Sequence, residues 1–424
     1  MAILTSLFAG VSGLNAFGTG LSVISNNIAN LNTTGFKDGQ VSFADLVSSG
    51  SSRAQVGRGV LVNDIRTNFS QGSFETTGSE LDLAVEGEGF FVLRDSAGAE
   101  FYSRSGAFNV GRIGLVENSD GLLLQGRQAT LAGVVTGQPT GNIDLSTTNS
   151  TPNPTANLSI DANLDSRATP PGAFVLATPS ATSNFSSSIT IYDSLGNGHL
   201  INVYFTKSSL IANEWDYNAV VSAADSSTGS AVVAGTGTLA FGTNGTLTSV
   251  SSATGTFNFS GNPTQNQAVT FDFGSPTGSG GTGLDGLTQF GASSSVLTQI
   301  QDGFAAGSLS SVSIDQEGIV TGLFTNGQSR SLAQVRLARF NNDQGLSKVG
   351  NNVYVLSNDS GQPILGDPNS GGMGRVLSNS LELSNVDLAQ QFIKMIEYQR
   401  GFQANSRSIT TTDELLQELV NLIR

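Results

Sequence analysis

Four groups of residues have types and spacings that chemistry could use, and in each the neighbours argue against it. Glu86 and Glu88 would make an acid/base pair, but they sit two apart in a Gly-containing turn with no His near, so they read as a solvated turn. His199 is the one histidine of the chain; it follows the Asn197-Gly198 turn with no second metal ligand, which makes a surface position the default. Gly281-Thr282-Gly283-Leu284-Asp285-Gly286 spells G-x-G-x-x-G, yet it follows a Gly/Ser tract instead of a strand and opens no helix of a βαβ unit. Gly57-Arg58-Gly59 lacks the Gly-Lys-Ser/Thr ending of a phosphate loop and reads as a turn into a strand. With no Cys there is no thiolate chemistry and no disulfide. The expectation is no catalytic residue, no metal and no cofactor.

What the sequence does space regularly is apolar surface at its two ends. Leu388, Met395, Phe402, Ile409, Leu416 and Ile423 recur every seven residues, and Phe392, Ile396, Leu419 and Val420 widen the row into a stripe. Near the other end, Leu4, Val11, Gly18 and Ser25 form one seven-residue row, and Leu7, Leu14, Leu21 and Ile28 a second, offset by three. Such rows are the a/d pattern of helices packing lengthwise on helices. A closing helix over 384–424, about 55–60 Å long, cannot bury its stripe on itself. The two end helices are therefore expected to be partners, with the rest of the chain as one long excursion. Ser384-Asn385-Val386-Asp387 reads as the N-terminal cap of the closing helix. Gly10, Gly13, Gly18 and Gly20 each cost the opening helix about 1 kcal/mol, so it is expected to be unformed in an isolated subunit and to order on assembly.

Composition bounds the rest. Only 12% of residues are charged, the net charge is −14 and Gly numbers 52. That describes many short strands and turns with a surface of hydroxyls and amides. No basic cluster exists for nucleic acid or an anionic membrane. Residues 1–36 carry no charge, and Gly10, Ser12, Gly13 and Asn15 interrupt any secretory apolar core. Neither a cleaved signal nor a membrane span is expected.

Asn26-Asn27-Ile28-Ala29-Asn30-x-Asn32-Thr33-x-Gly35-Phe36-Lys37 resembles the N-terminal motif of the bacterial flagellar rod and hook proteins. Ser384-Asn385-Val386-Asp387-Leu388, Met395-Ile396 and Tyr398-Gln399-Arg400-x-Phe402-Gln403-Ala404-Asn405 resemble the closing helix of the same family, as does Ile409-x-Thr411-x-Asp413. Leu81-Asp82-Leu83-Ala84-Val85-x-Gly87-x-Gly89-Phe90-Phe91 and Tyr102-x-Arg104-x-Gly106-x-Phe108 extend the likeness inward. Tyr192-Asp193-Ser194-Leu195-Gly196-Asn197-x-His199 with Trp215 adds a looser match to the family's outer domain.

The fold class expected is α plus all-β in several domains. Residues 1–32 with 384–424 form a terminal coiled-coil domain; 33–72, of helix and loop character, and 366–383 are the connecting segments. Residues 73–150 with 295–365 form an inner β-rich domain, and 151–294 an outer antiparallel sandwich or barrel inserted in it. Ser48 to Ser52 reads as a polar loop, and Gly366 to Gly374 as a flexible link. The resemblance implies a structural subunit that polymerises into a helical tube, within which a member of this length and with this insertion fits the hook better than the shorter rod proteins. It implies torque transmission, export unfolded without a cleaved signal, and a place at the cell surface. The implied partners are other copies of itself, the distal rod, the hook cap, the hook–filament junction proteins and the export apparatus. The competing readings are an adhesin or glycan-binding module using Trp215 and Tyr217, which leaves the end motifs unexplained, and an enzyme, for which residues are lacking.

Overall fold

The described part of the chain opens and closes with a helix. The computed structural model describes residues 2–47, 57–130, 133, 135–146 and 149–422. Helix α1 spans Ala2–Ala29 and helix α2 spans Leu388–Leu422; between them the described elements are strands and three short 3₁₀ turns. The polar loop expected at Ser48–Ser52 lies outside the described residues, as does Ile423. So do the side chains of Leu4, Leu419 and Val420. Helix α2 has 35 residues, about 50 Å of rise. Its cap is Asp387, not Ser384: the Asp387 carboxylate accepts from the Ala389 and Gln390 amides at 2.9 and 3.2 Å. A carboxylate suits a helix N-terminus better than a hydroxyl, since the free amides there carry partial positive charge.

The two helices run antiparallel against one another. Ser6 Oγ meets Thr412 Oγ1 at 3.3 Å near one end, and Asn27 Nδ2 donates to Gln391 Oε1 at 3.2 Å near the other. Helix α1, expected to order only on assembly, is thus formed and packed within the single chain. Its buried row is Gly10, Gly13, Ala16, Gly20, Ile24 and Asn27, not the leucine rows. Small side chains let two backbones approach, and the contacts of α2 replace what glycine loses in helix propensity. The expectation that nothing approaches a membrane span is also corrected. By length and composition Thr5–Ala29 is apolar enough to cross a bilayer; in the structure its small face lies on α2.

The segment expected to have helix and loop character is instead a strand pair. Strand β1 (Gly39–Val47) runs antiparallel to β2 (Gly57–Thr67), in register from Gly39 opposite Thr67 to Val47 opposite Gly57, with two bulges. The pair lies along α1: the Val60 amide donates to Ser12 Oγ at 3.2 Å. The rings of Phe17 on α1, Phe43 on β1 and Tyr398 on α2 meet at 5.8–6.0 Å between centroids.

The chain folds as two compact units, one of residues 1–148, 311–323 and 329–424, the other of 149–310 with 324–328. In the first, the hairpin expected around Asp95-Ser96-Ala97-Gly98 is present, Phe90–Arg94 pairing with Glu100–Ser103. Asp95 Oδ1 closes its turn through the Ala97 and Ala99 amides at 2.9 and 2.8 Å. Phe90, Val92, Tyr102, Ala338, Phe340 and Tyr354 form its aromatic core, with rings meeting edge to face. Beyond Gly374 the chain is strand: Arg375–Ser378 pairs with Leu83–Glu86, and Ser380–Glu382 with Phe74–Thr76.

The second unit is one mainly antiparallel sheet, in which Asn157–Asn163 and Gln267–Asp272 pair in parallel. Alternate residues point inward, and Phe205, Trp215, Tyr217, Leu239, Phe257 and Phe271 fill the interior. The strand Ser295–Gln301, expected in the inner β domain, pairs here with Asn157–Asn163. Strands Phe185–Tyr192 and Ser295–Gln301 stand at the two ends of the sheet order, and Gln299 of the second donates to Ser187 of the first, so the sheet's ends approach closure. The G-x-G-x-x-G run is a surface turn in this unit, and Gly274 packs its backbone against Gly286.

Candidate functional site: the helix seam and its buried polar junction

The seam is built by side chains of one helix seated over glycines of the other. A Cβ added to Gly20 would lie 2.6 Å from Tyr398 Cε2, one on Gly13 2.7 Å from Asn405 Cγ, and one on Gly10 2.9 Å from Ile409 Cγ1. In the other direction, a Cβ on Gly401 would lie 2.7 Å from the Phe17 ring. Gly18 has nothing within 4 Å. The inward row of α2 is Gln391, Tyr398, Asn405 and Thr412, seven apart, flanked by half-buried Met395, Ile409 and Leu416. The sequence period was right, and its phase within the pair is one row over. The apolar stripe faces outward in part: Leu388, Phe392, Ile396 and Phe402 are 38, 47, 51 and 40% exposed, and Val11 is 41%. Leu7, Leu14, Leu21 and Ile28 are half-buried.

Below the seam, the motif residues converge on a polar junction that ties both ends of the chain together. Helix α1 unwinds through Asn30, which donates to Asn26 O and accepts from Thr33 Oγ1 at 3.1 Å. Gly35 then takes φ +69°, and a Cβ there would lie 2.5 Å from the Ser105 amide nitrogen. Asn27 makes a reciprocal pair with Gly39, amide to carbonyl and carboxamide oxygen to amide, both at 2.9 Å. Asn385 does the same from the other end. Its Oδ1 accepts from the Asp38 amide at 2.8 Å, and its Nδ2 donates to Asn68 O and Ser70 O at 2.8 and 3.1 Å. These amides stand in for backbone partners that irregular chain would otherwise bury unpaired.

At the centre is an ion pair. Lys37 Nζ lies 2.6 Å from Glu382 Oε1, and both side chains are 0% exposed. Lys37 also donates to Ser70 O at 2.8 Å, and the same Glu382 oxygen accepts from the Gly72 amide at 2.9 Å. Arg104 Nη1 stands 3.8 Å from Glu382 Oε2 while its guanidinium covers the Phe90 ring at 5.1 Å. Burial pushes the Lys37 amine below the lysine range, and Glu382 pulls it back up only in part. One carboxylate therefore gathers the first charged residue of the chain, the 70–72 segment and the first unit's sheet. Breaking such a pair on one side costs about 3–5 kcal/mol.

Sequence reasoning named Lys37, Asn27, Asn30, Thr33, Gly35, Phe36, Asn385, Asp387 and Asn405, and the structure brings all of them into these contacts or, for Phe36, into the core. Asn26, Gln399 and Arg400 are exposed. It missed Glu382 and Gln391. The signal for Glu382 was its isolation, since no other charge stands between Arg375 and Asp387.

Two of the other candidates, Glu86 and His199, are held in ion-pair and stacking contacts. Glu86 is paired with Arg375 at 2.7 Å, whose hydrogen bond holds the carboxyl below its usual range. His199 is not at the surface. It is 5% exposed, stacked on Phe259 at 4.0 Å, with Nε2 3.0 Å from Asp193 and Nδ1 3.2 Å from Asp225. A ring sandwiched in this way keeps the two carboxylates on opposite sides, so they do not converge on an ion. Among the described residues no group of His, Asp and Glu could hold a metal.

Comparison with known proteins agrees along the whole chain. Family models match for the flagella basal body rod protein at 7–37 and the flagellar hook protein FlgE/F/G D1 domain at 84–165. Two more match for the flagellar basal body protein FlaE D2 domain at 163–304 and the flagellar basal body rod FlgEFG protein C-terminal region at 377–422. The flagellar hook protein FlgE of Salmonella typhimurium is 37% identical over 97% of this chain and 98% of its own length. That of Borreliella burgdorferi is 36% identical over 99% and 100%. The crystal structure of Helicobacter pylori flagellar hook protein FlgE2 matches in fold with a TM-score of 0.50, at 15% identity over 73% of this chain and all of that one. On these full-length matches, the chain belongs to the flagellar hook protein family.

Proposed function

We propose that this chain is the structural subunit of the flagellar hook, which polymerises through its terminal helices into a curved tube that passes torque from rod to filament while bending. The observation that carries the reading is the outward stripe. Leu388, Phe392, Ile393, Ile396 and Phe402 on α2, with Phe8 and Val11 on α1, stay exposed after the helices have paired. An apolar ridge of that length belongs against neighbouring copies. The helix pair then acts as a coiled-coil-like inner layer and the second unit as an inserted outer domain. Contacts that do not close on themselves generate a helical filament. Low-charge surfaces of Ser, Thr and Asn on the outer unit suit contacts that form and part at small desolvation cost as the tube bends.

The assembly residues are those of the stripe: Leu4, Leu7, Val11, Leu14, Leu21 and Ile28, then Leu388, Phe392, Met395, Ile396, Phe402, Ile409, Leu416, Leu419 and Ile423. Asn26, Gln399 and Arg400 are added from the motifs. The partners by family likeness are the distal rod, the hook cap, the junction proteins and the export apparatus, with export to the cell surface without a cleaved signal. The role is structural. The test is electron microscopy of purified full-length protein: tubes are expected, and they disappear when Phe392 and Ile396 are both changed to Ser. Tubes that persist in that variant refute the stripe as the interface.

A further inference from the structure

Two lysines of the first unit, Lys348 and Lys394, form no ion pair among the described residues, and Lys394 lies on α2 itself. Lys348 borders a groove of about 510 Å³ between α1, β2 and the segment 344–348, lined also by Ser22, Asn26, Phe36, Ile65 and Leu346. Its Nζ stands 4.5 Å from the centre of the Phe36 ring. Among the described residues no carboxylate or carbonyl oxygen is bonded to it, and the groove walls dehydrate the amine enough to lower its pKa with no charge nearby to offset this. Ile65 beside it is 49% exposed. The groove thus offers an apolar wall, an amide and hydroxyl rim, and one unneutralised cation.

Helix α2 offers the complement. Glu397, Glu414 and Glu418 are exposed and form no ion pair among the described residues. Each stands next to exposed apolar side chains, Ile393 at 66% and Ile396 at 51% beside Glu397, and Leu415 at 55% between the other two. Helix α1 of a neighbour could not serve, because residues 1–36 carry no charge at all. The chain's net charge of −14 makes copies repel, so a cation placed at a contact decides where they meet.

We propose that this groove is the docking site for the outward face of α2 from a second copy, with Lys348 taking a glutamate carboxylate of that helix. The proposal rests on the hook-subunit reading and adds to it which surface receives the closing helix and which residue sets the register.

The test is polymerisation of the full-length protein. Lys348→Glu is expected to raise the concentration needed for tubes about tenfold or more, while Lys348→Arg leaves it near wild type. Circular dichroism and Trp215 fluorescence are expected to be unchanged, since Lys348 is a surface residue. In the Lys348→Glu background, Glu397→Lys, Glu414→Lys and Glu418→Lys are then added one at a time, and one of them is expected to restore tubes. Lys348→Glu assembling as wild type overturns the site. Loss of tubes that no charge swap restores overturns α2 as the occupant. Wild-type protein that forms no tubes overturns the hook reading itself.

Discussion

Changing Gly20 and Gly18 of α1 separately to Ala should move the stability of the helix pair in opposite directions. Either substitution gains about 1 kcal/mol of helix propensity. At Gly18 nothing lies within 4 Å, so the gain stands alone. At Gly20 the new Cβ falls 2.6 and 2.7 Å from Tyr398 Cε2 and Cδ2. That ring cannot swing aside freely, because Phe17 and Phe43 hold it at 5.8 Å on two sides. Overpacking costs about 1–3 kcal/mol, and each aromatic contact disturbed adds about 0.5–1.5 kcal/mol. The net for Gly20→Ala is a loss of about 1–3 kcal/mol, which puts the two variants about 2–4 kcal/mol apart. Native-state amide exchange in α1 and α2 reads this as protection differing by about 30- to 1000-fold. Measuring it on dilute monomer keeps assembly out of the comparison. If Gly20→Ala protects the helices as well as Gly18→Ala does, Tyr398 is not seated on α1 and the close antiparallel approach is refuted.

Lys37→Met leaves buried Glu382 with only Arg104, 3.8 Å away, as counter-charge and is expected to destabilise the first unit by about 3 kcal/mol; adding Glu382→Met should recover most of that in chemical denaturation. In the second unit, Asp193 and Asp302 have carboxyls that burial pushes up but hydrogen bonds hold below the usual range on balance. Their contribution is complete above the unfolded value near pH 4 and fades as pH falls through their folded values, with half-buried Asp216, pushed up by desolvation, pulling the other way. Tyr217 is pushed up to about 12 by burial, so its contribution is complete below about pH 10 and is lost as pH rises towards 12. Trp215, the one tryptophan, lies in this unit, and its fluorescence melts should show a plateau bounded at both ends; a flat profile from pH 9 to 12 contradicts the tyrosine part. His199→Ala removes a stacked ring from between two carboxylates and should cost that unit about 2–4 kcal/mol by the same fluorescence melt.

The strands were legible because period-2 alternation reports a one-sided core. Residues 188–192, 200–206 and 215–221 fall inside strands Phe185–Tyr192, Gly198–Lys207 and Glu214–Val221. The helices were legible in period but not in phase, because a row of leucines looks like a seam while a row of glycines looks like weakness. Only a partner side chain over Gly13 or Gly20 distinguishes the two, and that partner is nearly 400 residues away. The same distance hid Glu382, whose role depends on Lys37, Gly72 and Arg104 meeting in space. His199 was misplaced since neither Asp193 nor Asp225 marks itself as a ring partner. The β1–β2 pair was missed because both its faces are half-exposed or exposed and so lack alternation.

The strands that open and close the second unit, Asn157–Asn163 and Ser295–Gln301, are hydrogen-bonded neighbours, and bridges at Ser150–Gly307 and Asn153–Phe304 continue the pairing toward the rest of the chain. The strands by which the polypeptide enters and leaves this stretch therefore lie side by side, and the turn at 324–328 returns to the same unit. A stretch whose two ends are hydrogen-bonded neighbours can change length between them while its entry and exit stay in place.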